Sequence, residues 1–320
     1  MDILIAISQL IASSIRLASP IAYAAIGGCY SERSGVTAMG LEGMMLSGAF
    51  FAVLGSSITG SAWGGVIFAC MGGAAAALIH AFFSIRFKAN QVVCGLGVNM
   101  LAAAVTTVLL GIIWGNKGKS EVVPGFKALE VPVLSRVPVL GSFVSQDMLI
   151  YILYVIIILS WVVLYKTPIG MRIRATGEHP KAVDSLGLDA CGIRFWCVIL
   201  SGVLSGLGGA CLSIGQLSFF SQNMTNGKGF IAIAAFVFGG WNPVASVGVA
   251  LLFGFMDALQ LRLQAVVQYT QLIQMIPYIL TIVVISSKLS KTSASPAAVG
   301  EPYYIPRNSI VRRRNETKSM

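Results

Sequence analysis

The sequence is poor in charged residues. Only 11% of its 320 residues are Asp, Glu, Lys or Arg, whereas soluble domains average about 25%. A further 56% are hydrophobic, more than a soluble chain of this length could hide from water. Several apolar runs reach the roughly 20 residues that cross a bilayer as a helix, so the sequence predicts a polytopic membrane protein.

The sequence also lacks the residue sets that catalysis and metal binding require. Its six cysteines show no C-x-x-C spacing and are expected to be packing residues, and its two histidines, His80 and His179, lie far apart. No spaced carboxylate pair, Ser/His/Asp arrangement or G-x-x-x-x-G-K-[ST] phosphate loop is present. We therefore expect no catalytic residue, no metal site, no cofactor and no ATP hydrolysis by this chain itself.

The apolar runs predict an all-α, polytopic transmembrane helical bundle of about eight to ten spans, including broken or partial helices. Residues 1–287 would form this transmembrane domain, and residues 288–320, rich in Ser, Pro and Ala, a disordered basic tail. The run 229–241 is too short for an easy crossing, so it predicts a partial helix. We place nine segments at about 3–28, 38–56, 62–84, 91–115, 147–165, 194–216, 229–241, 245–262 and 268–287.

The distribution of basic residues predicts the orientation. Fifteen Lys and Arg residues fall on the side of the polar stretch 166–194, and six fall on the opposite side. The positive-inside rule then places residues 166–194 and the C-terminus in the cytoplasm, and the N-terminus and the loop 116–146 outside. The net charge of +10 is explained by this bias, and we expect no nucleic-acid partner.

The middle of the stretch 166–194 predicts a short helix. Pro180 suits its first position, where a missing N–H costs nothing, and Gly187 suits its end. A helix this short needs a surface to lie against. It is either part of a basic loop that only sets topology, or a docking helix that passes force from a soluble protein to the bundle. Its expected faces are Ala182, Val183 and Leu186 on one side and Lys181, Asp184 and Ser185 on the other.

Three further polar stretches border the apolar runs. Glu32 and Arg33 form either an interfacial ion pair or a gate at the cytoplasmic end of a pathway. Amides near position 91 either bridge helices or line a polar path. The cluster at 216–226 offers neutral hydrogen-bonding groups that suit an uncharged, polyhydroxylated solute, and the adjacent Phe219 and Phe220 favour packing over stacking on a ring. These amides are Asn90, Gln91, Asn99, Gln216, Gln222, Asn223 and Asn226.

Two long motifs resemble a known family. SERSGVTAMGLEGMMLSGAF at 31–50 is similar to the "ERSGVxNIGxEGxM" signature of bacterial ABC-transporter permeases of the branched-chain amino acid and simple-sugar superfamily, in its nucleoside-transport branch. RATGEHPKAVDSLGLD at 174–189 resembles the cytoplasmic loop of that branch. The likeness covers about residues 15–287, with Met39 and His179 departing from the usual pattern. Later matches, in family order, are GLGGACLSIG, NMTNGKGFIAIAAFVFGGWNP and FGFMDALQLRLQ.

The resemblance implies a permease subunit of an importer in the bacterial cytoplasmic membrane. Its expected partners are a second, related permease, a separate ABC ATPase and an extracytoplasmic lipoprotein that captures nucleosides or, less often, a simple sugar such as ribose or galactose. The implied ATPase-coupling residues are Arg174, Gly177, Glu178, His179, Pro180, Lys181, Ala182 and Gly187. The expected translocation pathway passes near Glu32, Asn99, Gln216 and Asn223.

An ion-coupled secondary transporter is the competing interpretation. Such a protein would carry ionisable residues at mid-span to bind protons or sodium. Apart from Arg16, the centres of the predicted spans hold almost no charge, and Asp257 is the main exception. The sequence therefore favours a transporter driven by a separate ATPase.

Overall fold

The computed structural model describes residues 2–115, 118–126, 146–264, 275 and 295–304. Within these ranges the regular structure is helical, and a single β-bridge joins Lys119 to Ser221. The helices are α1 (Asp2–Arg33), α2 (Leu41–Thr59), α3 (Ala62–Ala81), α4 (Gln91–Trp114), α5 (Met148–Lys166), α6 (Pro168–Glu178), α7 (Pro180–Ser185), α8 (Ala190–Ala210), α9 (Lys228–Phe238) and α10 (Pro243–Gln264). Helices α3 and α8 continue as π-helical turns over Phe82–Arg86 and Cys211–Leu217.

Seven of these helices are long and apolar enough to cross a membrane, which confirms a polytopic helical bundle. Helix α9 has only 11 residues, about 16 Å at 1.5 Å per residue, so it is the partial helix that the sequence predicts. The next helix, α10, begins at Pro243, and the Asn242 side chain accepts from the Val244 amide at 3.0 Å. The ninth expected segment, 268–287, lies outside the described residues apart from residue 275.

Helix α1 runs further than the sequence suggested. It continues through Arg16 and Pro20 and ends at Arg33, so residues 30–33, expected in a loop, are its last turn. The polar residues at this end do not stop the helix, because their side chains are paired with other elements.

Helices α1, α2 and α8 form the centre of the bundle. The most apolar windows of α2 and α8 are 78% and 83% buried, whereas that of α4 is 22% buried. Glycines allow the central helices to touch: a Cβ on Gly209 of α8 would overlap the Met45 carbonyl of α2, and one on Gly73 of α3 would overlap the Gly202 carbonyl of α8. Close approach of small residues is the usual means of packing helices in membranes, where lipid is as apolar as the side chains.

Residues 295–304 lie within the tail 288–320, which the sequence predicts to be disordered. This segment folds back on α6, α7 and α8 and is held there by backbone and side-chain hydrogen bonds. Its Ala298 and Tyr303 are buried against these helices. The other residues of 288–320 lie outside the described part of the chain. In the loop 116–146, residues 120–126 bond the backbone of residues 214–220, and residues 127–145 lie outside the described part.

Candidate functional site

Residues 34–40, here called the re-entrant segment, connect α1 to α2 without helical structure. Amides of α4 hold its backbone. Gln91 accepts from the Thr37 amide at 2.8 Å, and Asn99 accepts from Gly43 at 2.8 Å and donates to the Met39 carbonyl at 2.9 Å. Since Asn99 lies eight residues after Gln91, the segment descends about 12 Å along α4. Non-helical backbone at membrane depth must be satisfied by protein groups, and these amides satisfy it.

Glu42, in the first turn of α2, lies at the centre of the site. Its carboxylate is buried and accepts from the Thr225 hydroxyl at 2.6 Å, the Gly227 amide at 2.9 Å and the Gly229 amide at 2.6 Å. These two amides belong to the start of α9, where helical N–H groups have no partner in their own helix. The carboxylate therefore caps α9 from another helix and faces the positive end of its dipole.

The starts of α2 and α9 meet at this carboxylate. A Cβ on Gly229 would overlap the backbone of Glu42, so only glycine allows the two helix ends to come this close. Beside them, Lys228 of α9 and Asp257 of α10 form an ion pair of 3.3 Å. The two segments resemble each other in sequence, GLEGMMLSGAF at 40–50 and GKGFIAIAAF at 227–236, and interrupted helices that start inside the bundle are how many transporters build a substrate site.

Glu32 and Arg33 hold the turn after α9, not each other. Glu32 accepts from the indole N–H of Trp241 at 2.7 Å and from the Ala38 amide at 3.3 Å. Arg33 donates to the carbonyls of Gly240 at 2.9 Å and Trp241 at 3.2 Å. Trp241 has φ of 55°, a left-handed conformation that is strained for a bulky residue, and these bonds stabilise it. Of the two interpretations left open for these residues, the ion pair is therefore not observed, and Glu32 joins the re-entrant segment to the turn after α9.

Gln216 satisfies a backbone group inside α1. Pro20 has no N–H to bond the Arg16 carbonyl four residues earlier. The Gln216 amide donates to that carbonyl at 2.6 Å, and the Ser19 hydroxyl donates to it at 2.9 Å. Among the residues predicted for the pathway, Gln216 is thus engaged by a structural hydrogen bond.

Gln216→Leu is expected to lower the free energy of unfolding by about 1 kcal/mol, the usual size of a polar bond between membrane helices. In a Pro20→Ala background the loss should shrink, because the alanine N–H can bond the Arg16 carbonyl within α1. Thermal unfolding of the four purified variants in detergent measures this coupling. An equal loss in both backgrounds would contradict the assigned role of Gln216.

Asn223 lies in the turn that leads into α9. It is exposed and has φ of 53°, a conformation that asparagine tolerates better than most residues. Phe220 nearby is fully buried and packs edge-to-face on Phe50, with ring centroids 5.3 Å apart, so the prediction of packing is confirmed for it. The four predicted pathway residues therefore do not form one cluster. Glu32 and Asn99 hold the re-entrant segment, Gln216 holds α1, and Asn223 lies in the turn before α9.

The predicted coupling residues lie on α6 and α7 or directly beside them. Helix α7 begins at Pro180, and Gly187 beyond its end has φ of 83°, as the sequence predicts. Gly177, buried near the end of α6, lies against the Arg33 carbonyl of α1, where a Cβ would overlap. Arg174 lies over the ring of Tyr165 at 5.1 Å. The remaining predicted residues face outward, with Glu178, His179, Lys181 and Ala182 exposed and Pro180 partly exposed.

The predicted division of α7 into two faces is wrong. Val183 is buried, but so is Asp184, which was expected on the solvent side, while Leu186 is 80% exposed. Asp184 turns inward because its carboxylate accepts from the Tyr303 hydroxyl at 2.7 Å and the Ala190 amide at 3.2 Å. Burial and then the hydrogen bond to the Asp184 carboxylate raise the pKa of Tyr303, so its hydroxyl remains a donor at neutral pH.

Sequence analysis missed three residues that the structure makes central: Glu42, Asp184 as an acceptor, and Arg194. Glu42 had a detectable signal, since it is a lone carboxylate flanked by glycine at the start of an apolar run. Arg194, 2% exposed, was counted only as a positive-inside charge. Nothing in the local sequence indicates its acceptors, which come from residues more than 100 positions away.

Comparison with known proteins identifies the family. Residues 10–285 match the model of the branched-chain amino acid transport system / permease component. The chain is 36% identical to the guanosine ABC transporter permease protein NupQ of Bacillus subtilis, covering 95% of this chain and 98% of NupQ. It is 33% identical to the nucleoside ABC transporter permease protein NupC of Lactococcus lactis, covering 95% and 99% of the two chains.

Two further relatives are a permease named for a sugar and a second permease named for guanosine. The putative glucose ABC transporter permease protein TsgC13 of Haloferax volcanii is 32% identical, covering 91% of this chain and 94% of its own. A second guanosine ABC transporter permease protein of Bacillus subtilis, NupP, is 23% identical over 76% of this chain and 71% of its own. With seven spanning helices, two interrupted segments that meet at Glu42, and a family match over residues 10–285, the chain belongs to the branched-chain amino acid transport system permease component family.

Proposed function

We propose that the chain is the transmembrane permease subunit of an ABC importer that carries nucleosides across the cytoplasmic membrane. The observation that carries the proposal is α7. Lys181 of this six-residue helix and Leu186 directly after it face outward, and Gly177 of α6 lies against the end of α1. An outward helix this short, fastened to the central helix, suits a docking site for a soluble ATPase.

The proposal assigns partners to the two sides of the membrane. A separate ATPase would bind α7 and the end of α6 from the cytoplasm, where the positive-inside rule places both them and the C-terminus. An extracytoplasmic lipoprotein would deliver the solute to the opposite side. A second, related permease would complete the transmembrane pair, which is supported by the likeness to both NupQ and NupP of one organism.

The proposed mechanism is mechanical. ATP-driven closure of the ATPase would displace α7, and the contact of Gly177 with α1 would pass this motion to the re-entrant segment and to the starts of α2 and α9. We assign the translocation path to the neighbourhood of these helix starts. Asn223 would face the solute, while Glu32, Asn99 and Gln216 would hold the backbone that shapes the path.

A nucleoside is the favoured solute because NupQ and NupC, whose matches each cover 95% of the chain, carry nucleoside names. A simple sugar is the second candidate, and it is favoured by the 32% identity to TsgC13. Both are uncharged and polyhydroxylated, so both suit the neutral polar groups of the turn before α9.

The test is uptake of labelled guanosine and uridine in a strain that lacks nucleoside uptake and expresses the permease with its second permease, ATPase and lipoprotein. Glu178→Arg, which reverses an exposed charge beside α7, is expected to reduce uptake about fivefold. Glu121→Arg reverses an exposed carboxylate at the other end of the bundle and should leave uptake unchanged.

Three outcomes would contradict parts of the proposal. Transport of glucose or ribose without nucleoside uptake would keep the ABC importer and overturn the solute. Uptake that survives without the ATPase would overturn the importer and favour a secondary transporter. Full uptake by Glu178→Arg would remove the residues around α7 from the ATPase contact.

A further inference from the structure

Residues 295–304, here called the C-terminal strap, cross the end of the bundle beside α7. Its Ala298 and Tyr303 are buried against the helices, whereas its Tyr304 is 62% exposed. The strap and α7 line an open cleft of about 810 Å³ between them. A ten-residue segment without helix or strand holds its position only through bonds to its surroundings, and these bonds run to two different parts of the permease.

The first set of bonds runs to α6 and α7. The Ala298 amide donates to the Gly177 carbonyl at 2.9 Å, and the Ala297 amide donates to the Glu178 carboxylate at 3.2 Å. The Tyr303 hydroxyl donates to the buried carboxylate of Asp184 at 2.7 Å. Bonds to an ionised acceptor are shorter and stronger than neutral ones, so the Tyr303–Asp184 bond is the firmest of these connections.

The second set runs to the re-entrant segment through Arg194 and Gln91. The Arg194 guanidinium donates to the Ser34 carbonyl at 3.1 Å, the Glu301 carbonyl at 3.2 Å and the Ala298 carbonyl at 3.4 Å. Gln91 accepts from the Thr37 amide at 2.8 Å and donates to the Glu301 carbonyl at 3.4 Å. Each of these two side chains therefore bonds the strap and the re-entrant segment at once.

We infer that the C-terminal strap transmits movement of α7 to the re-entrant segment. Tyr303 of the strap is the positioning residue that bonds Asp184 of α7, and Arg194 of α8 bonds both the strap and the re-entrant segment. The inference rests on the proposed function, which makes α7 the ATPase-docking helix. The Gly177 contact with α1 gives α7 one connection to the membrane helices, and the strap adds a second that ends on the segment leading into α2.

The assembled transporter provides the test, with Tyr303→Phe and Tyr304→Phe as a matched pair. Tyr303→Phe removes only the hydroxyl that bonds Asp184, and Tyr304→Phe removes the hydroxyl of the exposed neighbour while keeping the ring that lies over Lys88. In proteoliposomes the number of solute molecules carried per ATP hydrolysed should fall at least threefold in Tyr303→Phe and stay unchanged in Tyr304→Phe. The ATPase should remain bound in both, as measured by its yield on copurification.

A readout that requires no transport separates this inference from the proposed function. Hydrogen–deuterium exchange at residues 34–40 should rise severalfold in Tyr303→Phe and remain at the wild-type rate in Tyr304→Phe. Truncation after residue 304 should leave exchange and coupling intact, whereas truncation after residue 294 should reproduce the defect of Tyr303→Phe. These exchange results hold whichever solute the transporter carries.

Two results would overturn the inference. Wild-type exchange at residues 34–40 together with wild-type coupling in Tyr303→Phe would show that the strap transmits nothing. Loss of the ATPase from Tyr303→Phe, with normal coupling in the complexes that remain, would make the strap a docking surface instead. Absence of transport in the wild-type complex, with raised exchange in Tyr303→Phe, would reject the proposed function and keep the mechanical connection.

Discussion

Glu42→Gln is expected to lower the free energy of unfolding of the permease by about 2–3 kcal/mol, the upper part of the range for leaving a buried hydrogen-bond donor without its partner. The carboxylate receives three hydrogen bonds, from the Thr225 hydroxyl and from the amides of Gly227 and Gly229. A glutamine side chain has the same shape but offers one oxygen and an NH₂ group. The NH₂ group would face a backbone N–H, so at least one buried donor would lose its partner.

Thermal unfolding of the purified permease in detergent measures this effect. Glu121→Gln is the matched control, because it makes the same chemical change at an exposed carboxylate and should leave the unfolding midpoint unchanged. Thr225→Val removes one of the three donors and should cost about 1 kcal/mol, less than Glu42→Gln. A Glu42→Gln midpoint equal to that of the wild type would contradict the position of Glu42 between α2 and α9.

The size of this effect follows from where the carboxylate lies. The first N–H groups of α9 open inside the bundle, where no water is available to bond them in a lipid environment. A carboxylate from α2 supplies the acceptors and the negative charge that a helix N-terminus favours. The same group therefore fixes the angle between two interrupted segments, and its loss should impair transport as well as stability.

Much of the fold is readable from composition and local signals. Apolar runs place the spans, and the short run 229–241 predicts the partial helix α9 because length alone limits a crossing. Pro180 and Gly187 mark the beginning and the end of α7 for reasons that involve only neighbouring residues. Such features depend on backbone geometry within a few positions, so a single sequence specifies them.

The partners of the polar groups are not readable in the same way. Glu32 and Arg33 are adjacent and opposite in charge, yet both bond the turn at Trp241, more than 200 positions away. Asp184 looked solvent-facing by helical periodicity, but its acceptor role depends on Tyr303 in a segment expected to be disordered. In an apolar protein each buried polar group must find a partner, and the partner is chosen by the tertiary arrangement.

These long-range partners share one property. The re-entrant segment is bonded by Gln91 and Asn99 from α4, by Glu32 from α1 and by Arg194 from α8. Side chains from four spanning helices thus converge on seven residues that form no helix, because His80 of α3 also bonds the Thr37 carbonyl at 3.1 Å. Under the proposed function, a segment supported in this way would carry movement of these helices from α7 to the solute path.

Gly73→Ala is the second substitution with a large expected effect, a loss of about 1–3 kcal/mol in the free energy of unfolding from overpacking. A Cβ on Gly73 of α3 would overlap the carbonyl of Gly202 and the Cα of Gly206, both on α8. These are backbone atoms, which a rotamer change cannot move aside. The added methyl must therefore separate α3 from the central helix of the bundle.

Gly97→Ala is the matched control in another spanning helix. A Cβ on Gly97 of α4 would have no heavy atom within 4 Å, so the substitution should be neutral or stabilise the helix by up to about 1 kcal/mol. Unfolding midpoints of the two variants, measured in one detergent, should therefore shift in opposite directions or differ by several degrees. Equal midpoints would mean that α3 and α8 do not pack backbone to backbone. Because the same contact would hold α3 against the helix that carries Arg194, a destabilised Gly73→Ala permease should also lose uptake, whereas Gly97→Ala should retain it.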